Sequence, residues 1–170
     1  MRHPLKFVSS SALALAAVCF HLQAQATPPK PFTTHSFADI RARHAGVPLV
    51  VHIWAMSCGP CLAELPKWGA FAKKRPGVAL VLVRFDQAPA EASEARLARS
   101  GLEAVESWGV SGEADEYLRA SVDRKWIGDV PRTMLIAPDG DVTSIRGTAD
   151  LSRVEQWVDE VKAARPARGH

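Results

Sequence analysis

The sequence predicts a single α/β domain built on a strand, helix, strand crossover and closed by a hairpin and a last helix. Pro48 to Ala55 and Val78 to Phe85 are short, almost continuous apolar runs, as in strands buried on both faces of a sheet. Between them Leu62, Leu65, Trp68, Phe71 and Ala72 recur at three- and four-residue steps while Lys67, Lys73 and Lys74 fall elsewhere, the pattern of an amphipathic helix over Cys61 to Lys74. The third observation is Pro138-Asp139-Gly140-Asp141 between two further strand-like runs, since Asp-Gly supplies the positive φ a tight turn needs. A length of 170 residues, 47% of them hydrophobic and 23% charged, fits one globular domain and excludes collagen-like, low-complexity or wholly disordered chains. The net charge of +3, from 21 Lys and Arg against 18 Asp and Glu, is too near balance for binding a phosphate backbone, so nucleic acid is excluded as a partner.

Taken in order, residues 1–26 read as a secretory signal peptide. Arg2 and Lys6 precede an apolar stretch from Phe7 to Phe20, and Ala24-Gln25-Ala26 forms a small-residue cleavage site. That stretch holds Ser9, Ser10 and Ser11 and is shorter than the roughly 18 apolar residues of a membrane span. The expectation is export with cleavage after Ala26, with retention as an anchor the alternative, and no transmembrane span once cleaved. Cys19, flanked by Val18 and Phe20, suits lipid attachment poorly and leaves with the signal. Of the three cysteines only Cys58 and Cys61 then remain. An exported chain meets disulfide-permissive conditions, but two cysteines three positions apart cannot staple distant segments, so their role is chemical.

Residues 27–46, with Pro28, Pro29 and Pro31, read as an extended leader, and residues 47–164 as the domain. Pro66 predicts a kink in the Cys61–Lys74 helix, and Pro76-Gly77 ends it. Glu91 to Ser100 and Glu113 to Ser121 read as helices, with a strand around Val105 to Trp108. Thr133 to Ala137 and Val142 to Arg146 form the hairpin. Asp150 to Ala164 closes the domain as a helix with Leu151, Val154, Trp157, Val158 and Val161 on one face, before a tail at 165–170.

Trp54-Ala55-Met56-Ser57-Cys58-Gly59-Pro60-Cys61 lies where a buried strand turns into a helix. Cysteines spaced in this way at a helix start can close a small disulfide ring, and the free amides of the first turn stabilise the leading sulfur as thiolate. Cys58 is therefore the expected nucleophile and Cys61 the resolving thiol; the redox-active disulfide is itself the cofactor, and no metal is expected.

These residues resemble the thioredoxin family. The likeness spans roughly Val47 to Lys162 and rests on Trp54-x-x-x-Cys58-Gly59-Pro60-Cys61, on Pro66, and on Val130-Pro131-x-Thr133 before an Asp-Gly hairpin. Cys61-Leu62-Ala63-Glu64-Leu65-Pro66 is similar to the signature of exported TlpA- and ResA-type thiol-disulfide oxidoreductases, which include cytochrome c maturation reductases. The resemblance implies a thioredoxin fold: a central mixed β-sheet flanked by helices, with an insertion before the cis-proline strand. It makes Pro131 a cis-proline facing the cysteines, with Val130 offering backbone hydrogen bonds to a bound peptide and Gly59 and Pro60 beside the substrate; Trp54 is placed there too, shielding the disulfide, or else merely packs.

Glu64, one turn after Cys61, then becomes a catalytic acid and base; without the resemblance it reads as a solvated first-turn glutamate. His52 stands where thioredoxin itself has a buried aspartate, and reads either as a proton relay or as a core histidine with one hydrogen bond. Trp68, Trp108, Trp126 and Trp157 read as core or interface.

The implied activity is reduction of disulfides in other exported proteins of a bacterial periplasm, with a membrane thiol donor supplying electrons. Gly59-Pro60 resembles the reducing members, but an oxidant or isomerase of the same fold is an alternative. A copper(I) chaperone using Cys58 and Cys61 is a weaker one, since the only histidine after Cys61 is His170. A structural domain without catalysis is disfavoured by the intact cysteine pair.

Overall fold

The computed structural model describes residues 28–164, so the expected signal peptide at 1–26, with Cys19, and the tail at 165–170 lie outside the described residues. Its six-stranded mixed sheet has the order β1-β4-β3-β2-β5-β6. The strands are β1 (Lys30–Pro31), β2 (Leu49–Trp54), β3 (Ala79–Arg84), β4 (Glu106–Gly109), β5 (Arg132–Ile136) and β6 (Val142–Arg146). The first four pair in parallel, and β2–β5 and β5–β6 are antiparallel. The helices are α1 (Ser36–Arg43), α2 (Gly59–Lys74), α3 (Ala90–Arg99), α4 (Glu116–Val122) and α5 (Leu151–Ala163).

The apolar runs are continuous because their strands are covered on both sides. Leu49, Val51 and Ile53 of β2, with Val81 and Val83 of β3, face a core shared with Phe37 and Ile40 of α1 and Leu118 and Val122 of α4. The alternate residues Val50, Trp54, Leu80 and Leu82 face the opposite core, with Cys61, Leu65, Trp68 and Phe71 of α2, Leu97 of α3, and Val154 and Val158 of α5. Trp108 and Trp126 are buried in the first core, and Trp157 packs against the second.

The extended-leader reading of 27–46 is corrected. Within it Lys30–Pro31 pairs with β4, and Ser36–Arg43 forms a helix. The Ser36 hydroxyl accepts from the Thr33 amide and stabilises the turn into α1, while Phe37 and Ile40, three apart, enter the core. Glu106 locks the segment to β4 by accepting from Lys30 and His44 and lying 3.3 Å from Arg43.

Other differences concern boundaries. α2 begins at Gly59 because Cys58 is its N-cap. α4 begins at Glu116 because the Asp115 carboxylate accepts from the Leu118 amide and fixes the start there. The segment between β3 and β5 is α3, β4 and α4, with β4 extending the sheet beyond β3. In the hairpin Gly140 takes φ +98°, and the Ala137 amide donates to the Asp141 carbonyl at 2.8 Å.

α2 runs close to the turn after α3. A Cβ on Gly69 would collide with the Ser100 carbonyl oxygen, which is why no larger residue fits there. At the far end of α2, Arg75 donates to both Asp159 and Glu155 of α5.

Candidate active site

β2 delivers the chain to the site and α2 carries it away. Cys58 and Cys61 are joined as a disulfide. Cys58 is half-buried, whereas Cys61 is fully buried and packed in the core with Trp54, Leu65 and Trp68. As N-cap, Cys58 has its sulfur at the positive end of the helix, and the Cys61 amide donates to Cys58 Sγ at 3.2 Å. An amide aimed at this sulfur stabilises negative charge on it, the property that a thiolate nucleophile or leaving group needs.

The Val130–Pro131 bond is cis, as the sequence resemblance implied. Cys58 Sγ lies 3.7 Å from the Val130 carbonyl oxygen. Gly59 and Pro60 are exposed, and a Cβ on Gly59 would meet nothing within 4 Å, so the surface beside Cys58 is open to a docking chain. Val130 is half-buried and Pro131 buried. Trp54 is corrected as a substrate contact: with only 1% of its surface exposed it is core, and its ring cannot touch a docking protein. The reason is the pleat, which turns residue 54 toward α2 along with Val50 and His52.

Glu64 is not a solvated first-turn residue, because the face of α2 that carries Cys61, Glu64, Leu65 and Trp68 packs on the sheet. Its Oε1 accepts from the Ala149 amide at 2.7 Å, and its Oε2 lies 3.9 Å from His52 Nε2. Burial raises the Glu64 pKa above the ordinary carboxyl range, opposed by the Ala149 amide, by Lys67 and by the nearby Trp68 indole. His52, also fully buried, stacks on Trp68 with centroids 4.7 Å apart, and its Nδ1 lies 3.0 Å from Thr133 Oγ1. Burial lowers its pKa to about 3, so the ring is neutral.

Two residues of the site were not singled out from the sequence. Asp86, just after β3, accepts from the Ser57 amide at 3.1 Å and holds the loop leading to Cys58. Burial pushes its carboxyl up, but hydrogen bonds from Arg84 and from the Ser57, Ala88 and Met56 amides outweigh this and hold it ionised below the usual range. Arg132, directly after Pro131 and buried, pairs with Asp123 at 2.5 Å and Asp129 at 3.7 Å, tying the turn before the cis bond to β5. The signal for both was a charge set against an apolar strand, in Val83-Arg84-Phe85-Asp86 and Pro131-Arg132-Thr133. Among the described residues no three His, Cys, Asp or Glu side chains cluster as a metal site, and no helix is long and apolar enough to cross a membrane.

No family model and no curated protein matches the chain. Solved structures do. A secreted Mycobacterium tuberculosis disulfide oxidoreductase homologous to E. coli DsbE aligns at 24% identity and TM-score 0.54, covering 72% of this chain and 85% of that one. A thiol:disulfide interchange protein of the thioredoxin family from Chlorobium tepidum aligns at 18% identity and TM-score 0.57, covering 71% and 83%. StoA from Bacillus subtilis aligns at 19% identity and TM-score 0.50, covering 66% and 83%. At these identities the likeness is one of architecture, and the chain has the thioredoxin-like fold of these thiol-disulfide oxidoreductases.

Proposed function

We propose that this chain is an exported thiol-disulfide oxidoreductase that reduces disulfides in other exported proteins, in the manner of cytochrome c maturation reductases. The observation that carries the reading is the asymmetry of the cysteine pair. Cys58 is partly open, beside an exposed Gly59-Pro60 turn and with an amide on its sulfur; Cys61 is sealed in the core. In the reduced protein the Cys58 thiolate attacks one sulfur of a substrate disulfide, forming a mixed disulfide and expelling the other substrate sulfur as thiolate, which takes a proton. Cys61 then loses its proton to Glu64 and attacks Cys58 Sγ, releasing the second substrate sulfur as thiolate, which takes a proton from water. The substrate gains two electrons and two protons, and the Cys58–Cys61 disulfide is left.

An extended substrate segment docks along Val130 and Pro131, next to Gly59 and Pro60. Return to the dithiol requires a thiol donor, for which a membrane protein carrying electrons into the periplasm is the fitting class. The equilibrium potential of the pair against glutathione tests the direction. A value well below about −220 mV supports a reductant, and one near −120 mV would make the protein an oxidant or isomerase. Cys61→Ser is expected to accumulate a mixed disulfide between Cys58 and its substrate in cells. The absence of any covalent partner would count against the activity itself.

A further inference from the structure

Glu64 and His52 form a buried pair inside the second core, opposite in proton preference and unlike anything needed for packing. Both side chains are fully buried, and each leaves one polar atom without a hydrogen-bond partner, Glu64 Oε2 and His52 Nε2. These two atoms face each other at 3.9 Å. Unpaired buried polar atoms are costly, and two of them meeting head-on are most simply accounted for by a proton that both can share. Their other atoms are anchored, Glu64 Oε1 by the Ala149 amide and His52 Nδ1 by the Thr133 hydroxyl.

We propose that His52 is a positioning residue for Glu64: its neutral ring donates Nδ1–H to Thr133 Oγ1 and presents Nε2 as the acceptor for the carboxyl proton on Glu64 Oε2. The role in catalysis rests on the proposed oxidoreductase function, but the proton placement does not. When Cys61 gives its proton to Glu64, the acid formed finds an acceptor already oriented, and the 3.9 Å gap closes to hydrogen-bond length as catalytic contacts commonly do. Glu64 becomes a stronger base than burial alone would make it, and the reverse transfer returns the proton to Cys61. No charge separation between the two residues is involved.

The neutral form is favoured over an imidazolium–carboxylate pair because each charge would be buried with a single anchoring hydrogen bond. The displaced pKa values of both groups point the same way. The groups bearing on the pair are few. β5 contributes the Thr133 hydroxyl, the turn before α5 the Ala149 amide, and α2 contributes Lys67, the cysteine pair one turn away and Trp68, whose buried Nε1 also has no partner and is a competing donor for the Glu64 carboxylate. Burial favours the acid, while the Ala149 amide, the Lys67 charge and the Trp68 indole favour the carboxylate, so an acceptor on His52 would add to burial.

Two measurements test this. In oxidised wild-type protein, ¹⁵N NMR of the His52 ring at pH 7 is expected to show a proton on Nδ1 and a bare acceptor at Nε2. A proton on Nε2, or on both nitrogens, overturns the proposal whatever the protein does to disulfides. The second is the pH profile of the resolving step in single turnover. His52→Phe keeps a ring against Trp68 but has no nitrogen, and it should move the Glu64-dependent rise to lower pH by about one unit, a tenfold change in ionisation, with a lower plateau. His52→Gln, whose amide oxygen can reach the Nε2 position, should restore most of the profile. In Glu64→Gln, His52→Phe should change nothing further. A uniform loss of rate with an unmoved profile would mean that His52 only packs. A protein with no exchange activity would sink the proposed function and leave the tautomer result to decide this one.

Discussion

Acid should destabilise this fold through one buried histidine, and the size of the effect can be worked out in advance. His52 has a pKa of about 3 in the folded state against 6.5 for the free side chain. Below pH 6.5 the unfolded chain therefore binds a proton that the folded chain refuses, and stability falls by 1.36 kcal/mol per pH unit until the folded pKa is reached. The sign follows from the depressed value: the contribution is complete above the unfolded pKa and is lost as pH drops. Between pH 7 and pH 5 the integrated loss is about 2 kcal/mol.

Glu64 works in the opposite sense. Its raised pKa makes the folded state the better proton binder, so its contribution is present at low pH and lost as pH rises through the folded value. The two effects partly cancel in the wild type. The assay is therefore urea denaturation of the oxidised protein, followed by tryptophan fluorescence, comparing Glu64→Gln with Glu64→Gln/His52→Phe at pH 7, 6 and 5. The stability difference between the variants should change by about 2 kcal/mol over this range, with Glu64→Gln losing more. A difference independent of pH would show that the imidazole titrates alike folded and unfolded, and would refute the neutral, sealed His52.

Asp86→Ala should free the Ser57 amide and leave the buried Arg84 without its carboxylate partner. A loss of about 1–3 kcal/mol is expected, with faster amide exchange at Ser57; unchanged exchange would show that the carboxylate does not hold the loop. Gly69→Ala should fold poorly or shift α2, because its methyl group meets the Ser100 carbonyl. A cost of at least about 1–3 kcal/mol is expected for such overpacking, read from the denaturation midpoint, and a neutral result would mean that the two segments separate easily.

The strand and helix order was legible because β2 and β3 are buried on both faces and α2 and α5 on one, which writes burial directly into the residue pattern. Cys58 and Cys61 were legible by their spacing at a helix start, and Pro131 only through the family resemblance carried by Val130-Pro131-x-Thr133. α1 was not, because Pro28, Pro29 and Pro31 dominate the segment, and a helix of eight residues with Phe37 and Ile40 as its apolar contacts leaves a short signal. The motif places Trp54 beside the substrate, but its side chain follows the alternation of β2 into the core, the packing alternative. His52 and Glu64 were each noticed, but their meeting is set by the seating of α2 on the sheet. That geometry depends on contacts such as Gly69 against Ser100, to which no local pattern points.

The close seating of α2 also decides which sulfur moves when the disulfide opens. Two sulfurs must separate to van der Waals distance, and α2 is held at Gly69 by the turn after α3 and at Arg75 by α5. Cys61, on the first turn of this braced helix and packed on all sides, is the fixed half of the hinge. The compliant half is the stretch from Ala55 to Cys58, which belongs to no helix or strand and is tethered to the rest of the fold through Asp86, by the Ser57 and Met56 amides. Reduction is thus expected to be felt by the partner protein as an outward adjustment of the Cys58 rim, with the floor beneath it unchanged in either redox state.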